Sequence, residues 1–250
     1  MIIIKSDEEI SKIGRASKIV AETLMRLGEV IVPGITTRDI EIRAEDIIKS
    51  NKATSAFKGY RGYPANLCIS VNNEVIHGIP SRKRVLKDGD IVSLDVGVIY
   101  DGYIGDGAWT YPVGKVSRET MRLLAVTRES LYKGIEKARA NNRVSDISHS
   151  IQTHVEGCGY SVVRAFVGHG VGRSLHEEPQ IPNYGLPNKG PRLKKGMVLA
   201  IEPMVNAGGY EVAVLKDGWT AVTVDGSMSA HFEHTVVITE DEAGILTQLN

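Results

Sequence analysis

Two aspartates sit where the surrounding residues favour a strand. In VSLDVGVIYDGYIGDGAW, residues 92–109, Asp95 and Asp106 interrupt a run of apolar, aromatic and small residues, although strands avoid aspartate. Asp101-Gly102 is a two-residue hairpin signal. If these two form the loop, Tyr100 faces Tyr103 and Gly97 faces Asp106. Asp95, two residues from Gly97, then falls on the same side as Asp106. The carboxylates become diagonal neighbours about 7–8 Å apart at Cα, and Gly97 leaves space in front of Asp106. A bulge would shift this register. Two bare carboxylates that close repel, and burying them unpaired is costly. Solvent or salt bridges on an open face would relieve the repulsion. In an apolar strand covered by helices, a bound cation would do so, and it would need ligands from elsewhere in the chain.

The elements around this hairpin read as helices followed by strands, twice over. Ser6 to Glu9 has capping-box spacing, and Ile10, Ile13, Ile19, Leu24 and Leu27 follow at helical intervals up to Val32-Pro33-Gly34. A second helix spans Thr37 to Ser50. FKGYRGYP (57–64) is a loop, and LCISVN and the hairpin follow as strands. The pattern then predicts a helix from Ser117 ending before Asn141, a shorter one from Ser145 to Glu156, and strands in SVVRAFVG, MVLAIEPMV, AVTVDG and SAHFEHTVVIT. LKDGDIVSLDVGV (86–98) overlies LKKGMVLAIEPMV (193–205) at an offset of 107 residues. Asp39-Ile40 and Asp146-Ile147 keep that offset, and Asp95 falls on Glu202. The chain therefore reads as one α+β domain, residues 1–250, made of two related halves, roughly 1–112 and 113–250, around a shared antiparallel sheet.

The duplication directs the search for further ligands. Glu202 lies in the apolar strand VLAIEPM. Glu233, in HFEHTVVI, stands where the second half should supply a counterpart to Asp106. His169 sits between glycines in VGHGVG, where a side chain projects from a backbone with little cover. Each residue alone has an ordinary reading, as a turn, core or solvent-face residue; their joint occurrence in apolar strands points to a metal centre. Four carboxylates and one imidazole suit Mn, Fe(II), Co or Zn. Four carboxylates are too many for one zinc but can bridge two metals about 3.5–4 Å apart.

At this point the motifs resemble a known family. DVGVIYDGYIGD, GHGVGRSLHEEP, AIEPM and FEHT, in that order over nearly the whole chain, resemble the type I methionine aminopeptidases of pita-bread fold. The resemblance implies metal ligands at Asp95, Asp106, His169, Glu202 and Glu233, the same five. It adds His77, in VIHGIP, and His176, in SLHEEP, as active-site histidines. The implied reaction is hydrolytic removal of an N-terminal initiator methionine by water activated between two divalent ions. Glu202 would take the proton from that water, His176 would stabilise the oxyanion, and His77 would hydrogen-bond the leaving side. The methionine slot would be lined by Tyr60, Tyr63, Cys68, Phe166 and Trp219, with Cys68 as pocket wall rather than nucleophile.

Some positions depart from the family pattern. Gly97 and Gly107 stand where a hydroxyl residue can occur. Phe57 and Leu175 differ from a smaller and an aromatic residue, and His231 occupies a place where an amide is familiar. Among rivals, proline-specific aminopeptidases and prolidases usually carry a sizeable domain before the catalytic one. A type II enzyme would carry an insertion between the last two ligands, yet Glu202 and Glu233 are only 31 residues apart. A non-catalytic relative would not retain all five ligands and both histidines.

Composition bounds the setting. Lysine plus arginine and aspartate plus glutamate are 30 each, which gives no general attraction to nucleic acid or membrane. The opening MIII is too short for a signal peptide or a spanning helix. Cys68 and Cys158 are the only cysteines, a usage that fits the cytoplasm and leaves room for one disulfide. The expected partners are methionyl peptides and nascent chains, with transient ribosome contact and a monomeric enzyme; sequence-specific nucleic acid and membrane are not expected.

Overall fold

The computed structural model describes residues 1–248. Helix α1 (Asp7–Gly28) starts at the expected capping box: the Ser6 hydroxyl accepts the Glu9 N–H, and the Glu9 carboxylate accepts the Ser6 N–H. Helix α2 (Thr37–Ser50) is capped the same way by Thr36 and Asp39. Strands β1 (Thr54–Ser55), β2 (Cys68–Val71), β3 (Glu74–Ile76), β4 (Ile91–Tyr100) and β5 (Tyr103–Pro112) complete the first half. The second half repeats the helix pair as α3 (Arg118–Ile135) and α4 (Val144–Gly157). Its strands are β6 (Ser161–Val162), β7 (Gly168–Gly170), β8 (Glu177–Ile181), β9 (Val198–Ile201), β10 (Met204–Asn206), β11 (Val212–Val214), β12 (Ala221–Thr223), β13 (Ser229–His231), β14 (His234–Val237) and β15 (Gly244–Ile245). The fold is α+β, and every strand pair among the described residues is antiparallel.

Several sequence expectations need correction. Helix α3 does end before Asn141 as expected, at Ile135; the strands depart more. In SVVRAFVG only Ser161-Val162, as β6, and the final Gly168, which opens β7, are strand. MVLAIEPMV splits at Glu202-Pro203, where proline offers no N–H to the ladder, and SAHFEHTVVIT splits at Phe232-Glu233. Strands β3, β8, β11 and β15 were not evident, being two to five residues long. Cys68 and Cys158 are both free thiols, and no described helix is long and apolar enough to cross a membrane.

The β4–β5 hairpin has the register that the Asp-Gly turn dictates. Pairing runs unbroken from Ile91–Pro112 to Tyr100–Tyr103, with Gly97 opposite Asp106. The 107-residue offset reappears in three dimensions. Ser55 pairs with Val98 as Val162 pairs with Val205, and the isolated bridge Thr36–Val85 is matched by Arg143–Arg192. Helices α1 and α2 cover β4 with a core that includes Val20, Leu27, Ile40, Val92 and Leu94. Helices α3 and α4 cover β9 and β10 with Leu123, Leu131, Ile147, Leu199 and Ile201. Gly105 permits the close approach of α1 to β5, since a Cβ there would lie 2.4 Å from the Ser17 nitrogen.

The halves meet where β5 runs beside β13 and β14. The Glu233 N–H donates to the Ala108 carbonyl at 2.9 Å. Thr110 Oγ1 accepts from the His231 N–H and donates to the His231 carbonyl. Thr235 Oγ1 treats Asp106 the same way, accepting from its N–H and donating to its carbonyl. These clamps place the acidic positions of both halves side by side.

Candidate active site

The structure brings all twelve residues singled out above to one cavity of about 420 Å³. Asp95, Asp106, His169, Glu202 and Glu233 form its floor, and the two histidines and the aromatic residues form its walls. Ligand atoms of Asp106, His169 and Glu233 lie within 4.8 Å of one another. His169 Nε2 is 3.4 Å from Glu202 Oε1 and 3.8 Å from Asp106 Oδ2.

Each floor residue is held by its backbone. Asp95 lies on β4 between β2 and β5, opposite Cys68 on one side and Ala108 on the other. Asp106 is fixed by Thr235, as described, and its Oδ1 also accepts the Gly107 N–H. Glu202 sits at the proline break between β9 and β10, where Asn183 donates to its carbonyl at 3.0 Å. His169 belongs to β7 rather than to an open loop. A Cβ at Gly168 would meet the Ala200 carbonyl oxygen at 2.5 Å and one at Gly170 the Glu178 oxygen at 2.4 Å, so the flanking glycines serve close strand packing. His169 Nδ1 is 2.9 Å from the Gly170 carbonyl oxygen. A carbonyl only accepts, so Nδ1 carries the proton and Nε2 turns a lone pair toward the carboxylates.

The electrostatics of this floor call for a cation. Burial raises the Asp106 pKa to about 7. Burial, followed by the neighbouring acids, raises those of Asp95, Glu202 and Glu233 well above the carboxylate range. Among the described residues no lysine or arginine pairs with any of the four; their only ion-pair partners are His169 and His231. Burial keeps both imidazoles neutral near pH 7, each with a pKa of about 3. Asp95 Oδ1 and Glu233 Oε1 are buried without any hydrogen bond, a costly state that a metal ion relieves. The oxygen-rich set with one imidazole fits a divalent first-row ion.

A pH dependence follows. The four acids have folded pKa values above their unfolded ones, so metal-stripped protein holds extra protons between about pH 4 and pH 7 and loses stability as pH rises through that window. Metal displaces those protons. The rise in Tm on adding Mn(II) to chelator-stripped protein is therefore expected to grow from pH 5 to pH 8 in differential scanning calorimetry. A rise that is flat or shrinking with pH would contradict the assignment.

The walls combine polar donors with an aromatic slot. The Tyr60 hydroxyl lies 2.8 Å from His176 Nδ1, and the His176 ring is 4.3 Å from that of His169. Burial, then the Arg61 charge, lowers the His176 pKa. The loop carrying His176 is tied down by Glu177, which accepts the N–H groups of Arg173 and Ser174 and pairs with the buried Lys5. His77 has a left-handed backbone, φ 61°, and burial lowers its pKa to about 4. Its ring meets Phe166 edge-on at 5.6 Å, and Trp219 meets Tyr63 edge-on at 5.1 Å. The Tyr63 hydroxyl is spent on the Gly78 and Leu67 carbonyls, leaving its ring for apolar contact.

Two expectations about this site change. The space in front of Asp106 is not open: a Cβ at Gly97 would lie 2.4 Å from the Phe57 ring, so Phe57 takes the room that glycine leaves. Nor is Glu233 the register counterpart of Asp106. Met204 pairs with His231, and Ile201 with His234, so at the 107-residue offset His231 stands where Asp106 stands, and Glu233 where Ala108 stands. Thr235 and Gln180 also belong to the site and were not singled out. Thr235 is the last residue of the FEHT motif, whereas nothing around Gln180 in the sequence marks it.

A model of metallopeptidase family M24 matches residues 11–240. The chain is 57% identical over 249 residues to methionine aminopeptidase 1 of Bacillus subtilis, covering all of both chains. The chain belongs to the methionine aminopeptidases of family M24. The crystal structure of the methionine aminopeptidase of Thermotoga maritima superposes on this M24 chain with a TM-score of 0.98 at 53% identity, covering both in full. The prolidase of Pyrococcus furiosus gives 0.80 at 26% identity; 99% of this chain matches only 66% of that longer one. The pita-bread fold is thus shared with both, and the whole-length match is with the methionine aminopeptidases.

Proposed function

We propose that this M24 peptidase removes the N-terminal methionine from peptides and nascent chains. What supports the reading is a buried floor of four carboxylates and one imidazole that opens directly on an aromatic, sulfur-accommodating slot. Asp95, Asp106, His169, Glu202 and Glu233 hold two divalent ions in this reading, with cobalt, manganese, iron(II) and zinc as candidates. Bound there, the ions lower the pKa of water toward neutrality and offset the charge of the floor.

The protein's own groups do the rest. The methionine side chain enters between Tyr63, Cys68, Phe166 and Trp219, with Tyr60 and His77 at the rim. The free α-amino group of the substrate meets the acidic floor, which restricts cleavage to chain ends. Glu202 accepts the proton of the attacking water and returns it to the leaving amine. Tyr60 donates to His176 Nδ1, so Nε2–H is free to donate to the carbonyl oxygen as it gains charge. His77 hydrogen-bonds the peptide on the leaving side. We place the enzyme in the cytoplasm as a monomer with transient ribosome contact, built as a single catalytic domain from a duplicated unit.

The test uses chelator-stripped protein with Mn(II), Fe(II) or Co(II) added back, assayed on a Met-Gly peptide and an Xaa-Pro peptide. Metal-dependent release of methionine is expected, with Xaa-Pro left intact. Preferential Xaa-Pro cleavage would move the chain to the prolidase activity, and folded protein inert with every metal would overturn the proposal.

A further inference from the structure

His231 is buried, 2% exposed, and neither ring nitrogen has a hydrogen bond among the described residues. An orphaned imidazole in a core is costly, so its position needs a reason. Its backbone allows no escape. Thr110 grips its N–H and carbonyl at 2.9 and 2.7 Å, and β10 pairs it with Met204 on the other side. The register puts Glu202, Met204, His231 and Glu233 on one face, as Asp95, Gly97, Asp106 and Ala108 share one face of the first hairpin. The group nearest to charge pairing is Glu202: His231 Nε2 lies 3.9 Å from its Oε2, while its other oxygen, Oε1, is the one near His169. A movement of about 1 Å turns the first approach into a hydrogen bond.

We infer that His231 is the positioning residue of Glu202, donating Nε2–H to Oε2 so that Oε1 alone is presented to the metal floor. One oxygen is thereby occupied by an N–H and the other is committed as a ligand, which fixes the rotamer of the residue on which proton transfer depends. A partner of this kind typically changes metal affinity 10–100-fold. The inference rests on Glu202 being a metal ligand.

Three variants of the full chain and one spectrum test it. In His231→Leu, the dissociation constant for the first Co(II), measured by isothermal titration calorimetry, is expected to rise 10–100-fold, with a shifted Co(II) d–d absorption. His231→Gln, whose amide N–H reaches the same oxygen, is expected to stay within about 3-fold of the parent in affinity and to keep its spectrum. His231→Asn, one methylene shorter, should behave like the leucine variant. Independently of any variant, long-range 1H–15N spectra of the zinc-loaded parent should show His231 as the Nε2–H tautomer. A leucine variant with parental Tm, Co(II) affinity and spectrum would overturn the inference, as would an Nδ1–H tautomer. Failure of the underlying metal reading looks different: the parent protein itself would then bind no Co(II).

Discussion

Asp106→Asn is expected to bring metal content close to zero and to cut kcat/KM on the order of 10³-fold or more. Asp106 is 4% exposed, and its carboxylate lies within 4.8 Å of ligand atoms of His169 and Glu233. Asparagine keeps the size of the side chain, and the backbone bonds from Thr235 to the 106 N–H and carbonyl survive the change. The charge is lost, and with it one anionic member of the proposed ligand set. A second consequence separates this from simple misfolding. Burial raises Asp106 from 3.8 to about 7, a difference on the order of 4 kcal/mol between its protonation states. At pH 8 the metal-stripped parent must ionise this group inside the floor, whereas the variant need not. The stripped variant should therefore melt above the stripped parent at pH 8, while added Mn(II) raises the Tm of the parent alone. Elemental analysis by plasma mass spectrometry and calorimetry read both effects. Parental metal content in the folded variant would remove Asp106 from the ligand set.

His176→Ala is expected to lower kcat 10²–10³-fold with little change in KM or in bound metal. The His176 ring is tilted against that of His169 with centroids 4.3 Å apart and is held by the Tyr60 hydroxyl at 2.8 Å, so it stands over the floor without belonging to the proposed ligand set. Burial and the Arg61 charge disfavour its protonated form. A neutral imidazole donates one hydrogen bond, which is worth most once the carbonyl oxygen carries negative charge. Ground-state binding should barely register its loss. Tyr60→Phe, which removes the anchor but not the imidazole, should cost less than the histidine deletion. A His176→Ala enzyme with depleted metal would make this residue a ligand, and one with raised KM at parental kcat would make it a binding group only.

The sequence could specify much of this site because much of it is local. The Asp101-Gly102 turn sets the register of β4 and β5, and period-two alternation then puts Asp95 and Asp106 on one face. The 107-residue offset carried that face to Glu202 in the second half. The motifs around His77, His169 and His176 marked those residues without any contact being known. Other features were decided only when distant elements packed. That β5 lies against β13 and β14 depends on Thr110, Ala108 and Thr235 finding partners more than 100 residues away, and no local propensity encodes such a pairing. Phe57 fills the space over Gly97 because its loop folds back onto β4, which a reading of the hairpin alone cannot show. His231 rather than Glu233 matches Asp106 because Met204, the equivalent of Gly97, pairs with His231 across β10 and β13, a pairing of strands that no local turn sets. Residue types and spacing thus determined the chemistry; the docking of one half on the other determined which atoms meet, since contacts between remote elements depend on core packing rather than on turns and alternation.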